Sequence, residues 1–547
     1  MYVDIIERWK QANPILCQGL GFHEFDTEVQ NFDLFKISSR IHELKSDIKT
    51  LSHKTDFSSK IDEFEYNLIV SALEQELFEL DERKAYLTSP AAYVTGWFNS
   101  FNLIQKNHTQ RSFASVDERV KSITEMESKL PTLLQQAMDN LYKTQLDVAS
   151  TQSSINFVSG YIGYYQDELI EFVSQISDES LIQKWSEVNE SLVNSLNEFK
   201  KFLEEKLQSA KQDFALGEQK YLSLLKYTEG VSLTVDQLLD VGYADLEKNY
   251  QAMLEIASKR GQNVLDMIRE IQNDYPDPEK MLDYARMTAD RTKEFVMNSD
   301  LVTVPLDDQC KVIYTPESDR KFEFASMNTP GPFEVPEAKE AYYRVNPPDL
   351  SWPQERIKQY MSFFNKAFFE AVTIHEVWPG HYLQLLYGQI SKSNISKIFA
   401  HSITMIEGWA HYCEEMIYEA GYEPFDRDVF HIGQLIGALI RNVRYISSVE
   451  MHCRKMTVDD SVKLFMEKAF MPEGNARIEA NRGTINPMYL NYTLGKLLIK
   501  KLREDYKKER GQKYNLKTFH DELLSYGSAP ISVLRNIMLE NPNTGIL

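Results

Sequence analysis

Apolar residues return every three or four positions through much of the first half of the chain. Trp185, Val188, Leu192, Leu196, Phe199, Leu203, Leu207, Ala210 and Phe214 form one stripe, the 3.6-residue signature of an amphipathic helix. Stretches 117–149 and 232–262 carry the same pattern. A stripe this long would also suit a coiled coil, but no extended run of heptads surrounds it, so helices packed lengthwise within one domain are expected. The pattern changes near residue 274. Asn273-Asp-Tyr-Pro-Asp-Pro278 reads as a turn, and after one more helix residues 301–353 hold eight of the 19 prolines. Within them Cys310–Thr315 and Ala341–Val345 predict strands, with a loop at Thr329-Pro-Gly-Pro-Phe333. Helical periodicity resumes at Pro353, giving helices over 363–386, 395–419, 432–452 and 485–506. The expected fold is mainly α, with a small β-sheet before residue 353. Its stretches are an N-terminal helical region 1–300, a β/loop segment 301–352 and a C-terminal helical region 353–547, the halves forming one cleft.

Candidate chemistry gathers in the C-terminal region. Thr373-Ile-His-Glu-Val-Trp-Pro-Gly-His381 sets two imidazoles and a carboxylate close together, the groups a zinc hydrolase needs. His375 and His381 lie six residues apart, roughly 120° around an ideal helix, so a regular helix could not aim both at one ion. Pro379 removes a backbone donor and its ring clashes with the carbonyl four residues back, and Gly380 eases the turn that follows. The pair is read as a break that swings His381 back toward His375. Six of the 11 histidines (His375, His381, His401, His411, His431 and His452) fall between 375 and 452, which favours a site over a chance His-Glu pair in a helix. Glu407 follows after a turn and room for a returning antiparallel helix. It suits a third ligand, or an acceptor that orients a ligand histidine.

His-Glu-x-x-Pro-Gly-His-x-x-Gln, here His375 to Gln384, resembles the signature of the family catalogued as domain of unknown function 885. Glu407-Gly-Trp-Ala-x-Tyr-x-Glu414 is similar to its second block. Arg444 with His452, and Arg482, Pro487, Tyr492, Gly495 and Leu502-Arg503, resemble two later blocks. Gly331-Pro-Phe and Tyr343-Arg-Val-Asn346 resemble a substrate-side segment. The likeness covers roughly residues 325–510. It departs at Ser448, where the family has Asp, at His411, where an apolar residue is usual, and in a one-residue shortening that leaves Tyr489 and Tyr492 as alternatives.

The resemblance implies a zinc metallopeptidase whose large helical zincin-like fold is similar to neurolysin-like oligopeptidases and carboxypeptidase Taq. It implies His375, His381 and Glu407 as metal ligands. Glu376 would be the general base, taking a proton from an activated water and passing it to the leaving amine. His452, Arg482 and Tyr492 are candidates to stabilise the oxyanion. Each has a plainer alternative: an ion pair with Glu479 for Arg482, burial for Tyr492, a helix cap for His452. Trp409, His401 and His431 read as structural, and His411 as a core histidine. A sheet just before the motif could hold an extended peptide by its edge or be a structural hairpin.

Composition narrows the partners. The net charge of −21 opposes binding to nucleic acid or an anionic membrane. The run Met1 to Lys10 carries charges where a secretory signal needs an apolar core, and no stretch is apolar for long enough to span a bilayer. Cys17 has no apolar run ahead of it to suit lipid attachment. Cys17, Cys310, Cys413 and Cys453 form no spaced pair, which suggests reduced thiols in the cytoplasm. The expected activity is cleavage of short peptides. Rival readings are a metal-dependent hydrolase of a non-peptide amide, an oxygen-activating di-metal enzyme using Glu407, His411 and Glu414, and a metal-free helical scaffold.

Overall fold

The long helices begin where a short polar side chain takes up free amides of the first turn. Ser115 and Glu118 form a reciprocal capping box at α1 (Val116–Leu141). Asp147 caps α2 (Val148–Gln166) and Asp178 caps α3 (Glu179–Leu207). The computed structural model describes residues 2–96, 99–305, 310–317, 320, 324–542 and 545–547. Parts of the predicted β/loop segment (306–309, 318–319 and 321–323) lie outside these. The protein is mainly α, 71% helical with one small sheet.

The chain forms two compact units. The first comprises residues 1–56, 72–214 and 330–340, the second 57–71, 215–329 and 341–547. In the first, α3 packs on α1 and α2, burying Trp185, Leu192, Leu196, Phe199 and Leu203 along the predicted stripe. Ala210 and Phe214 fall beyond the helix. There the chain turns, and the amide of Lys211 donates to the Leu146 carbonyl (3.0 Å). The stretch read as one helix over 117–149 is two, parted between Leu141 and Val148.

Residues 330–340 return to this unit and pack on residues 20–26. The Phe333 amide donates to the Leu20 carbonyl (3.0 Å), and the rings of Phe22 and Phe333 stack at 4.4 Å. This is where Gly331-Pro-Phe333 lies. His23 closes the junction, with Nδ1 2.9 Å from Asp26 and Nε2 2.7 Å from Glu334. Burial pushes the imidazole pKa down, but the two carboxylates outweigh it and raise it to about 10.

In the second unit, α4 (Val235–Lys259) and α5 (Met281–Asn298) precede the sheet of β1 (Cys310–Tyr314), β2 (Ala325–Asn328) and β3 (Ala341–Val345). The strand order is β1-β3-β2, with β3 parallel to β1 and antiparallel to β2. The sequence Ala-Ser-Met-Asn of β2 carries none of the β-branched or aromatic residues that mark a strand, and only pairing with β3 reveals it. Tyr343 of β3 is fully buried, its hydroxyl 3.0 Å from that of Thr373. Six further helices build the site: α6 (Lys366–Glu376), α7 (His381–Ile390), α8 (Ile403–Glu419), α9 (Arg427–Cys453), α10 (Glu473–Ile485) and α11 (Asn491–Arg510). Residues 215–300, grouped by pattern with the N-terminal helices, belong here: α4 runs along α9.

Helices α8 and α11 meet backbone to backbone. A Cβ on Gly408 would lie 2.4 Å from the Gly495 Cα, and one on Gly495 would lie 1.9 Å from the Thr404 carbonyl oxygen. Two facing glycines thus let these backbones touch, beside Glu407 and three residues from Tyr492. Next to Gly495, the fully buried Lys496 ammonium reaches Asp245 of α4 at 2.8 Å and Glu415 of α8 at 3.6 Å. Asn442 of α9 donates to the same Asp245 (2.8 Å). One buried charge therefore ties four helices, and removing a single partner from such a group costs about 3–5 kcal/mol.

The His23 junction yields a pH prediction. A folded-state pKa of about 10 against an ordinary 6.5 means its contribution is complete below pH 6.5 and fades as pH rises toward 10. Denaturant titrations of the wild type should show stability falling across that window. His23→Gln should be less stable near neutrality and flatter between those limits; parallel pH profiles would refute the assignment.

Candidate metal centre

Helix α6 stops at Glu376 because Val377 leaves the helical region (φ −115°, ψ −82°), and α7 starts at His381. The intervening turn contains the cis Trp378–Pro379 bond. Gly380 is required for closeness, not for left-handedness: its φ is −71°, yet a Cβ there would lie 1.9 Å from the His375 carbonyl oxygen. The Gly380 amide donates to the Ile374 carbonyl (3.1 Å), folding the new helix start onto the old helix end. Trp409 of α8 pins the turn by donating from Nε1 to the Pro379 carbonyl (2.8 Å). The two imidazoles then stand 4.6 Å apart, centroid to centroid, at 82°.

Helix α8 brings Glu407 to them. Its Oε2 lies 3.4 Å from the Nε2 of both His375 and His381, and one ligand atom from each of the three residues falls within 4.8 Å of the others. That oxygen is buried without a hydrogen-bond partner. Burial alone would raise the Glu407 pKa, but the two adjoining imidazoles hold it well below the usual carboxylate range. Donors about 2.0–2.1 Å from a tetrahedral ion stand roughly 3.3–3.4 Å from one another, which the two carboxylate–imidazole separations match. The residues present fit a divalent cation, and among the described residues this is the one His/Cys/Asp/Glu cluster that does.

Behind His375 stands a carboxylate that the sequence reading assigned only to a di-metal alternative. Glu414 Oε1 is 2.7 Å from His375 Nδ1. A guanidinium has no lone pair to offer, so the Nδ1 proton goes to Glu414 even though Arg441 Nη2 lies 3.2 Å away. His375 Nε2 is thereby left with its lone pair toward Glu407. Arg441 donates to Glu414 Oε2 (3.2 Å), and His411 Nδ1 lies 3.4 Å from the same oxygen. Burial pushes the Glu414 pKa up, but Arg441 and then His411 hold it far below the usual range. His411 is fully buried, which lowers its own pKa to about 4 despite Glu414. These three residues back the site and form no second ligand set with Glu407. Arg441 carried no signal in the sequence beyond its place three residues before Arg444.

The remaining predicted residues separate. Glu376, the last residue of α6, adjoins His375 and is partly exposed. Tyr492 faces the cluster, its ring stacked 6.1 Å from that of His375, whereas Tyr489 is buried beneath Gly483, where a Cβ would lie 2.2 Å from its hydroxyl. Burial, reinforced by the charge of Glu407, raises the Tyr492 pKa. Arg482 does not pair with Glu479, which instead holds Arg444 through two 2.7 Å contacts. His452 is not brought into the group. It is buried on Tyr221, with Nε2 2.9 Å from the Gly483 carbonyl and Nδ1 accepting from the Leu216 amide (3.4 Å). Both ring nitrogens serve packing, so the expected oxyanion role is withdrawn. Ser448 donates to the Pro487 carbonyl and accepts from the Tyr221 hydroxyl at 2.8 Å. Arg503 donates to Tyr412 (2.9 Å), which bonds His520 (2.8 Å), so Leu502-Arg503 supports α8 from behind.

Three variants test this construction. Pro379→Ala/Gly380→Ala should remain folded with equal or greater far-UV helicity, because Ala favours a continuous helix, while zinc affinity measured by chelator competition falls steeply. Gly380→Ala alone should share the loss, since its methyl meets the His375 carbonyl. Glu414→Gln should lower zinc affinity by about 10–100-fold, the usual effect of removing a ligand's hydrogen-bonded carboxylate. Unchanged affinity in either would show that the turn, or the backing carboxylate, does not position His375.

No curated protein sequence matches this chain significantly. Among solved structures, a Shewanella oneidensis protein described as a "putative lipoprotein of unknown function" superposes with a TM-score of 0.82 at 23% identity, over 98% of each chain. One from Colwellia psychrerythraea, described as a "putative lipoprotein", gives a TM-score of 0.82 at 17% identity over 98% of this chain and 97% of that one. At these identities the likeness is one of fold. Here Cys17 is wholly buried, and no helix among the described residues is long and apolar enough to cross a membrane. Residues 14–538 match the model for bacterial proteins of unknown function DUF885, and the chain belongs to that family.

Proposed function

We propose that the protein is a zinc-dependent peptidase acting on short peptides, with His375, His381 and Glu407 as the metal ligands. The observation that carries this reading is the buried Glu407 oxygen, which faces two imidazole nitrogens at 3.4 Å and has no hydrogen-bond partner. Buried polar atoms are seldom left so. Two nitrogens and one oxygen leave a four-coordinate ion one open position, the catalytic arrangement. Zinc held there supplies Lewis-acid activation of a carbonyl and of water. Glu376 is the proton carrier: it adjoins His375 in sequence, sits at the end of α6 and is partly exposed. It accepts the proton of the attacking water and delivers it to the departing nitrogen. The Tyr492 phenol, kept protonated by burial and by Glu407, offers an O–H to the negative oxygen of the tetrahedral intermediate. Cysteines without disulfides suit a reducing cytoplasm.

Elemental analysis after zinc reconstitution should give one zinc per chain, and anomalous scattering should locate it at this cluster; an ion elsewhere, or none, would remove the basis of the reading. Cleavage should be sought with a peptide library and the products identified by mass spectrometry. Glu376→Gln should retain the metal and lower kcat by about 100-fold or more, since Gln keeps the shape but cannot accept a proton. A variant that loses zinc yet keeps its activity per bound zinc would make Glu376 structural. A zinc-loaded wild type inert toward peptides but active on a non-peptide amide would move the substrate class and keep the site.

A further inference from the structure

Beside the pair that backs His375 lies a half-open apolar hollow. Its walls include Ile268, Phe363, Phe368, Ile436, Ile440 and Met471, four of them only half-buried. It holds about 450 Å³ counted with its open mouth, room for one small molecule rather than a length of chain. Among the described residues no charged side chain lines it, although 26% of the chain is charged. Two of its polar side chains are spent locally. Ser362 donates to the Gln359 carbonyl (2.7 Å), and Asn365 bonds the Ser362 carbonyl and the Phe368 amide (3.0 Å each). The amides of Gln272 and Asn475 make no side-chain hydrogen bond among the described residues. Phe363 and Phe368 meet edge to face at 5.0 Å. The wall opposite them is set by a helix end: Phe470 holds a φ of 56°, the Met471 amide donates to the Phe465 carbonyl (3.3 Å), and the Phe470 ring stacks on Tyr250 at 5.8 Å. Glycine is usual at such a left-handed cap; phenylalanine there fastens the segment that carries Met471.

We propose that this hollow binds a compact, uncharged, aromatic molecule, free in solution and separate from whatever the metal centre takes. The lining selects that chemistry. Phenylalanine edges and faces receive a ring, two unpaired amides can bond one polar substituent on it, and a charge would enter with no partner to offset its lost hydration. The position separates the occupant from the centre. A Cβ on Gly437 would lie 3.5 Å from Phe368 Cε2, 2.8 Å from Arg441 Nη1 and 3.6 Å from Glu414 Oε2. The Phe368 wall therefore abuts the Arg441–Glu414 pair, on the Nδ1 side of His375, whereas Glu407 faces Nε2. A molecule held at Nε2 could enter the hollow only by parting a buried ion pair, which is costly. The site stands on its own lining and does not depend on the peptidase reading.

Three planar probes of one shape and different charge test it: benzamide, benzoate and benzamidinium, titrated calorimetrically into the full chain with and without zinc. Benzamide should bind saturably, with the same affinity in both preparations, and about tenfold or more tightly than either ion, since an unpaired charge costs more to bury than an amide. Benzamidinium is the stringent control, because a chain of net charge −21 would favour it at any unspecific site. Ile436→Trp, which fills the hollow from α9, should abolish benzamide binding with circular dichroism unchanged. Met471→Trp fills it from the opposite wall and serves if the first variant misfolds. Gln272→Ala/Asn475→Ala should weaken benzamide several-fold. No saturable binding of benzamide, equal binding of the three probes, or a preference that survives both filling variants would overturn the proposal. Two further outcomes would give the hollow to another occupant and overturn it as well. One is displacement of benzamide by a blocked tripeptide with a central phenylalanine only when zinc is present, which would make the hollow part of the peptide's path. The other is a dimer, seen by sedimentation, that benzamide dissociates.

Discussion

The centre depends on one close approach, that of Gly380 to the carbonyl of His375. Any side chain at 380 would place its first carbon 1.9 Å from that oxygen, so the second helix can begin against the end of the first only where that carbon is missing. From this contact follow the meeting of His375 with His381, the buried carbonyl of Pro379 that Trp409 and Cys413 engage, and hence the docking of α8 with Glu407 on the same side. The glycine pair Gly408 and Gly495 repeats the device one layer back. It lets α11 approach closely enough that Tyr492 reaches the ring of His375.

Around this backbone arrangement the buried charges are matched singly. Glu414 has Arg441 and two imidazoles, Glu479 has Arg444, Glu370 of α6 has Arg291 and Tyr422, and Asp245 has Lys496. An ion taken out of water loses several kcal/mol of solvation unless a partner returns it. Helices that share such pairs therefore settle where the partners meet. The matching leaves Glu407 for function, facing two imidazoles with no hydrogen bond to its inner oxygen.

Several family-like residues turn out to be construction. Trp409 fills the core and fastens the Pro379 turn. Arg503, Tyr412 and His520 form a chain that ends on the Leu301 carbonyl, where His520 Nδ1 donates at 2.7 Å. Donation from Nδ1 and acceptance at Nε2 require a neutral ring, in keeping with burial lowering the His520 pKa to about 4. His452, a candidate through its resemblance to a family block, belongs to this group.

The helices of both units were legible because an amphipathic helix writes its period into the chain, as from Trp185 to Leu203. The break between His375 and His381 was legible because proline and glycine act on their own backbone. Where elements met was not. The strand Ala325–Asn328 exists through its pairing with β3, and the assignment of residues 215–300 to the second unit comes from α4 packing along α9. Arg441 and Glu414 back His375 from two helices 27 residues apart in sequence. Tyr492 faces the centre from the first turn of α11, whereas Tyr489 lies in the turn before that helix, beneath Gly483. Local chemistry is carried by neighbours along the chain and can be read there. Partnership among buried charges is a property of distance, and only the packed helices bring those distances about.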